Sequence, residues 1–97
     1  MIIVVGTFDV DPADRDRFVE ARRAQAAGAR AVDGCIEYAL SLDAFDAGRV
    51  RLFECWRDAE ALATHTRAVQ AKGGPPSDVT VRARQIRIID GDERPPS

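Results

Sequence analysis

The stretch FECWRDAEALATHT, residues 53–66, holds the chain's single tryptophan, Trp56, and nine residues later its single histidine, His65. Histidine is the side chain whose ordinary pKa lies nearest neutrality, so it can take or give a proton at physiological pH. His65 comes three residues after Leu62 and four before Val69, which puts it on or beside the apolar stripe of a helix, facing inward. There it can act as a base that removes a phenolic or C–H proton from an aromatic substrate. It can equally be a partly buried histidine hydrogen-bonded to the backbone or to Glu54.

Three other residues bear on the same place. Trp56 ends a strand and offers either a flat wall and N–H donor to a flat aromatic ligand, or a large plug for the open end of the core. Glu54 shares the face of Trp56 by strand alternation. If that face is covered, its carboxylate must be paired or held protonated. It then either orients His65 or touches a substrate hydroxyl, or it pairs with one of the many arginines. Tyr38 either presents its hydroxyl to a pocket or stacks in the sheet. Arg82 and Arg84 are read as solvated, or as reaching a partner subunit.

The elements that must place these residues follow from periodicity. Met1–Val10 reads as a strand with apolar side chains on both faces. A helix follows to about Arg30, with Asp11 as N-cap, Pro12 in its first turn and Asp14 at its positive end. Its stripe is Phe18, Ala21, Gln25, Ala29 and Val32, and its arginine- and aspartate-rich side is read as solvated. Asp33-Gly34 turns the chain. Ile36, Tyr38, Leu40 and Leu42 then alternate with Glu37, Ala39 and Ser41 as a strand. AFDAGR is a hairpin loop with Gly48 free to take positive φ. VRLFECWR returns with Val50, Leu52, Glu54 and Trp56 on one side and Arg51, Phe53, Cys55 and Arg57 on the other. Asp58 caps a second helix, with Glu60 in its first turn, that fades near Ala71. KGGPPS is an irregular connector and DVTVRARQIRIID a last strand. The apolar phase of that strand slips between Ala83 and Ile86, which suggests a bulge or a change of partner.

The order is β-α-β-β-α-β, so the expected fold is α+β and ferredoxin-like, a four-stranded antiparallel sheet with both helices on one face. It forms one domain over residues 1–90, with residues 91–97 a polar tail. Strands one and two carry large apolar residues on both faces. The uncovered face must be hidden from water, and a second copy packed sheet to sheet does this most simply, so a two-fold homodimer is expected.

Composition narrows the partners. The 97 residues carry a net charge of −2 with acids and bases interleaved, which gives no footprint for nucleic acid or a membrane surface. The longest apolar run, Met1–Val5, is too short to span a bilayer and no charged segment precedes it, so the cytoplasm is the expected location. Cys35 and Cys55 lie on the two arms of the hairpin, offset by about three positions or roughly 10 Å, beyond bridging distance. Two cysteines and one histidine are too few soft ligands for zinc, and no glycine-rich phosphate or dinucleotide loop is present.

Gly34, Cys35 and Tyr38, then Glu54 and Trp56 with one residue between them, then Ala61, Leu62 and His65 form a string that resembles the antibiotic biosynthesis monooxygenase family of dimeric α/β-barrel proteins. The likeness extends over the whole chain in length and element order, and its specific part is Gly34 to His65. The resemblance implies a cofactor-independent monooxygenase that oxidises a small aromatic or polyketide-derived quinol or anthrone with dioxygen. In it His65 is the base, Glu54 its orienter, and Trp56 and Tyr38 the pocket walls. The substrate anion passes an electron to dioxygen, so the protein supplies only an apolar pocket, a base, and donors for the developing oxyanion. The same pocket could serve an isomerase or another proton-transfer enzyme, or a non-catalytic dimeric module that binds a small ligand. His65 is the only histidine and strand one has Gly6 and Thr7 but no asparagine, unlike the haem-degrading members of the superfamily.

Overall fold

A computed structural model describes residues 1–74 and 78–96 of the chain. Strands β1 (Ile2–Asp9), β2 (Cys35–Leu42), β3 (Arg49–Trp56) and β4 (Ala83–Asp90) form one antiparallel sheet in the order β2-β3-β1-β4, and α1 (Arg15–Arg30) and α2 (Ala59–Ala71) complete the ferredoxin-like α+β fold. The last part of the KGGPPS connector and the end of the polar tail, residues 75–77 and 97, lie outside the described residues.

Strand pairing assigns every side chain to a face, because opposed residues point the same way. Ile2, Val4 and Phe8 of β1 pair with Trp56, Glu54 and Val50 of β3, and Tyr38 pairs with Glu54. These residues are buried beneath the helices, and Trp56, Tyr38, Phe18 and Val50 are the largest side chains wholly out of water. Truncating an aromatic residue at such a position to alanine costs about 3–5 kcal/mol.

Asp11 does cap the start of the first helical segment, its carboxylate accepting from Ala13 N at 3.0 Å. That segment is a single 3-10 turn, Pro12–Asp14, and α1 proper begins at Arg15. One arginine of the supposedly solvated side is buried. Arg22 is 8% exposed, one turn past Phe18, with its guanidinium carbon 4.7 Å from the Phe8 ring centre and 4.9 Å from that of Phe18. A long aliphatic stem and a flat cation over aromatic faces make that burial tolerable.

Several sequence expectations are corrected. Gly48 does not take positive φ; Gly34, Gly73 and Gly74 do. Gly48 is needed instead because a Cβ there would run into the carbonyl oxygen of Val10. The bulge lies in β2, between Cys35 and Glu37, while β1 and β4 pair without interruption from Asp9–Ala83 to Ile2–Asp90. The last strand starts only at Ala83; Val79 before it is buried and Val81 packs on the core. The phase slip thus marks the entry to the strand.

The bulge also moves the cysteines. Cys35 stands opposite Trp56 and Cys55 opposite Glu37, an offset of one position rather than three, and the two remain free. Neighbours along β3 alternate in face, so Cys55 points away from the helices. Finally, β2 is apolar on one face only. Its other face carries Glu37, Ala39 and Ser41, opposite Cys55, Phe53 and Arg51, while Ile36 sits in the bulge, 58% exposed. The apolar band on the open face comes from Ile3 and Val5 of β1, Phe53 of β3 and Ile89 of β4.

Candidate active site

α2 sits where it does because two residues are small. Gly34 adopts φ 95°, and a Cβ on it would lie 2.6 Å from Cβ of Ala61. Its lack of a side chain lets the first turn of α2 close onto the start of β2. Asp58 caps that turn, accepting from Ala61 N at 2.9 Å, and Arg57 N donates to Gly34 O at 2.8 Å. One turn beyond Ala61, His65 is thereby pressed onto the end of β3.

The imidazole of His65 stacks on the indole of Trp56, with ring centres 5.2 Å apart and planes 22° apart. The imidazole and the Tyr38 ring meet edge to face, with ring centres 5.6 Å apart. Trp56 Nε1 donates to Glu54 Oε1 at 2.9 Å, and Gln25 Nε2 donates to the Tyr38 hydroxyl at 3.1 Å. The fold therefore brings His65, Trp56, Tyr38 and Glu54 into one buried cluster, the most exposed of them 7% accessible. Among the described residues Glu54 forms no ion pair, and its partner is the indole rather than His65.

Electrostatics follow from that burial. Desolvation holds His65 below the ordinary histidine value, so the ring is neutral at pH 7 with one nitrogen lone pair to offer. Desolvation pushes the Glu54 carboxyl above its usual range, and the Trp56 N–H acts against this by stabilising the anion. The Tyr38 phenol is raised by burial first and then by the Glu54 carboxylate beside it.

A cavity of about 390 Å³ opens between α1 and α2. Its walls are Ala24, Gln25, Gly28 and Ala29 of α1 with Val32 just after it, His65, Ala68 and Val69 of α2, and Lys72 to Gly74 beyond. Of the four residues singled out from sequence, His65 alone lines it. Trp56 lies behind the imidazole as a backing surface, Tyr38 reaches the cavity through Gln25, and Glu54 is one bond further back. Periodicity places Gln25 in the apolar stripe of the first helix and gives it no part in a cavity. A polar side chain at an otherwise apolar helical position was the available signal. Arg82 bonds Asp11 at 3.0 Å on the surface, and Arg84 lies exposed on β4. Among the described residues, no helix is long and apolar enough to cross a membrane.

The family model for antibiotic biosynthesis monooxygenase matches residues 1–73. No curated protein matches the chain. Among solved structures, a Deinococcus radiodurans protein that carries this family's name superposes with a TM-score of 0.80 at 23% identity, over 100% of this chain and 98% of that one. A Mycobacterium tuberculosis protein gives 0.77 at 24% identity, over 96% of each chain. A Caulobacter crescentus protein, also bearing the family's name, gives 0.72 at 26% identity, over 95% of this chain and 90% of that one.

Proposed function

The chain belongs to the antibiotic biosynthesis monooxygenase family, and we propose that it is a cofactor-independent monooxygenase acting on a small aromatic quinol or anthrone. The observation that carries this is the placement of a neutral, half-sandwiched histidine in the wall of a small-molecule-sized cavity. An imidazole kept below its ordinary pKa is a free base at pH 7, and its stacking on Trp56 fixes the plane in which its lone pair lies. For an anthrone, His65 removes a proton from the ring CH₂. The resulting anion passes an electron to dioxygen, the radical pair combines to a peroxide, and loss of water leaves a C=O. One oxygen atom enters the product and the other leaves as water, so the step balances without a further reductant. Gln25, with Tyr38 bonded behind it, shapes the wall that faces the ring, and Glu54 locks Trp56.

We further propose that it works as a homodimer sealed through the open face of the sheet. Support comes from the apolar band there, with Phe53 37% and Ile89 45% exposed on the isolated chain.

Oxygen uptake with a panel of anthrones and quinols tests the first proposal. His65→Ala should lower uptake by about a hundredfold or more, the usual worth of a positioned base. Proton exchange or isomerisation without uptake would replace the oxygenase with a proton-transfer enzyme, and binding without turnover with a ligand-binding module.

A further inference from the structure

The cavity between α1 and α2 has a deep end and a mouth. Ala29, wholly buried, and His65, 7% exposed, lie at the deep end. Ala24 and Gly28 of α1 and Ala68 of α2 line it as well, and all three are exposed, so small residues face each other across the mouth.

Gly28 is the one of these that the fold does not ask for. Glycine is the poorest helix former after proline. It is needed where φ is positive, where backbones approach closely, or just past a helix end. None of these holds at Gly28. The glycines with positive φ are Gly34, Gly73 and Gly74. The helix runs on to Arg30. A Cβ built on Gly28 would meet no atom within 4 Å among the described residues. Ala24, Gln25, Gly28 and Ala29 recur at three- and four-residue steps and all line the cavity, so this helix face looks into it and that Cβ would enter the mouth. What the missing side chain leaves is open space on the way to His65.

The surroundings constrain what fills that space. The imidazole at the deep end makes no hydrogen bond among the described residues, and desolvation is what lowers its pKa. A ligand therefore brings a polar edge to His65 and an apolar body to the small-residue walls. About 390 Å³ lies towards the small end of the roughly 300–1,000 Å³ usual for ligand pockets. A single ring at His65 leaves the mouth unfilled, and a flat fused system reaches it.

We infer that Gly28 determines specificity by size: its lack of a side chain admits the outer ring of a flat fused aromatic whose hydroxylated inner ring meets His65, and a side chain of leucine's size there would confine the site to single rings. This rests on the cavity being the ligand site proposed above. Discrimination by a steric block is as effective as discrimination by added contacts.

The test is binding of phenol and 2-naphthol to the full chain, followed by ligand NMR, which reads weak binding. The wild type should hold the naphthol about tenfold or more tighter than phenol, the worth of burying a second ring. Gly28→Leu should remove that advantage by weakening the naphthol and not the phenol. It should melt no lower than the wild type, because leucine is the better helix former. Ala27→Leu, exposed on the same turn and outside the cavity, should keep the naphthol advantage. Equal binding of the two probes by the wild type, binding of neither, or an advantage that survives in Gly28→Leu overturns the proposal. So does a Gly28→Leu chain that melts lower, since the glycine would then serve the fold, or an Ala27→Leu chain that loses the advantage too. Oxygen uptake from quinols with no size preference at Gly28 would remove this inference and leave the oxygenase. Size-selective binding without uptake would do the reverse.

Discussion

The indole N–H of Trp56 donates to the carboxylate of Glu54, two residues earlier on the same strand, at 2.9 Å. Both side chains are buried, 0% and 6% exposed. The pair explains how an acidic residue is held beneath the helices with no cation beside it among the described residues: a charge-accepting bond offsets part of the desolvation.

Removing the donor should therefore cost more than the lost ring volume. Trp56→Phe is expected to destabilise by about 2–4 kcal/mol, part from the smaller ring and part from the orphaned carboxylate. Glu54→Gln keeps an acceptor for the indole and loses the buried charge, so its change should stay within about 1 kcal/mol near neutral pH. Urea unfolding of both variants checks the order. A glutamine variant as damaged as the phenylalanine variant would mean that the charge itself, and not the acceptor, matters.

Glu54 and His65 set opposite pH slopes. The folded pKa of Glu54 is raised above the ordinary 4.5. Its contribution is full below that value and is lost as pH rises through the folded one. The folded pKa of His65 is lowered from 6.5. Its contribution is present above 6.5 and is lost as pH falls through the folded value. Stability measured from pH 4 to pH 8 should show the acid-side loss flattened in His65→Gln and the alkaline-side loss flattened in Glu54→Gln. A His65→Gln profile parallel to the wild type would place the imidazole in water.

Gly34→Ala should destabilise by about 2–4 kcal/mol, combining the left-handed backbone with a clash against Ala61. It should also weaken ligand binding, since α2 must lift and carry His65 off Trp56. Thermal unfolding and quenching of the single tryptophan report the two effects separately. A stable variant with unchanged tryptophan emission would show that this close approach does not set the site.

Phe53→Asp or Ile89→Asp on the open face should shift sedimentation from dimer to monomer at micromolar concentration. A wild type that sediments as a folded monomer would remove the proposed assembly.

Much of this was legible along the chain because it is local. The cap at Asp58 and the alternation of Val50, Leu52, Glu54 and Trp56 each depend on neighbours a few residues away. The burial of Arg22 was not legible, because an arginine on a helix looks solvated until Phe8, from a distant strand, is set beneath it. Gln25 was hidden for the same reason: its partner Tyr38 lies across an element boundary, and its role depends on a cavity made by two helices.

By itself the sequence determined the element order, the fold and the small set of residues able to do acid–base work, since backbone periodicity and side-chain chemistry are properties of short segments. Tertiary structure alone decided which of those residues meets the cavity. A single bulge in β2 sets Tyr38 opposite Glu54, and two small residues, Gly34 and Ala61, let α2 close far enough to lay His65 on Trp56. Register and helix approach are settled by packing between segments far apart in the chain, and no local pattern encodes the distance at which they come to rest.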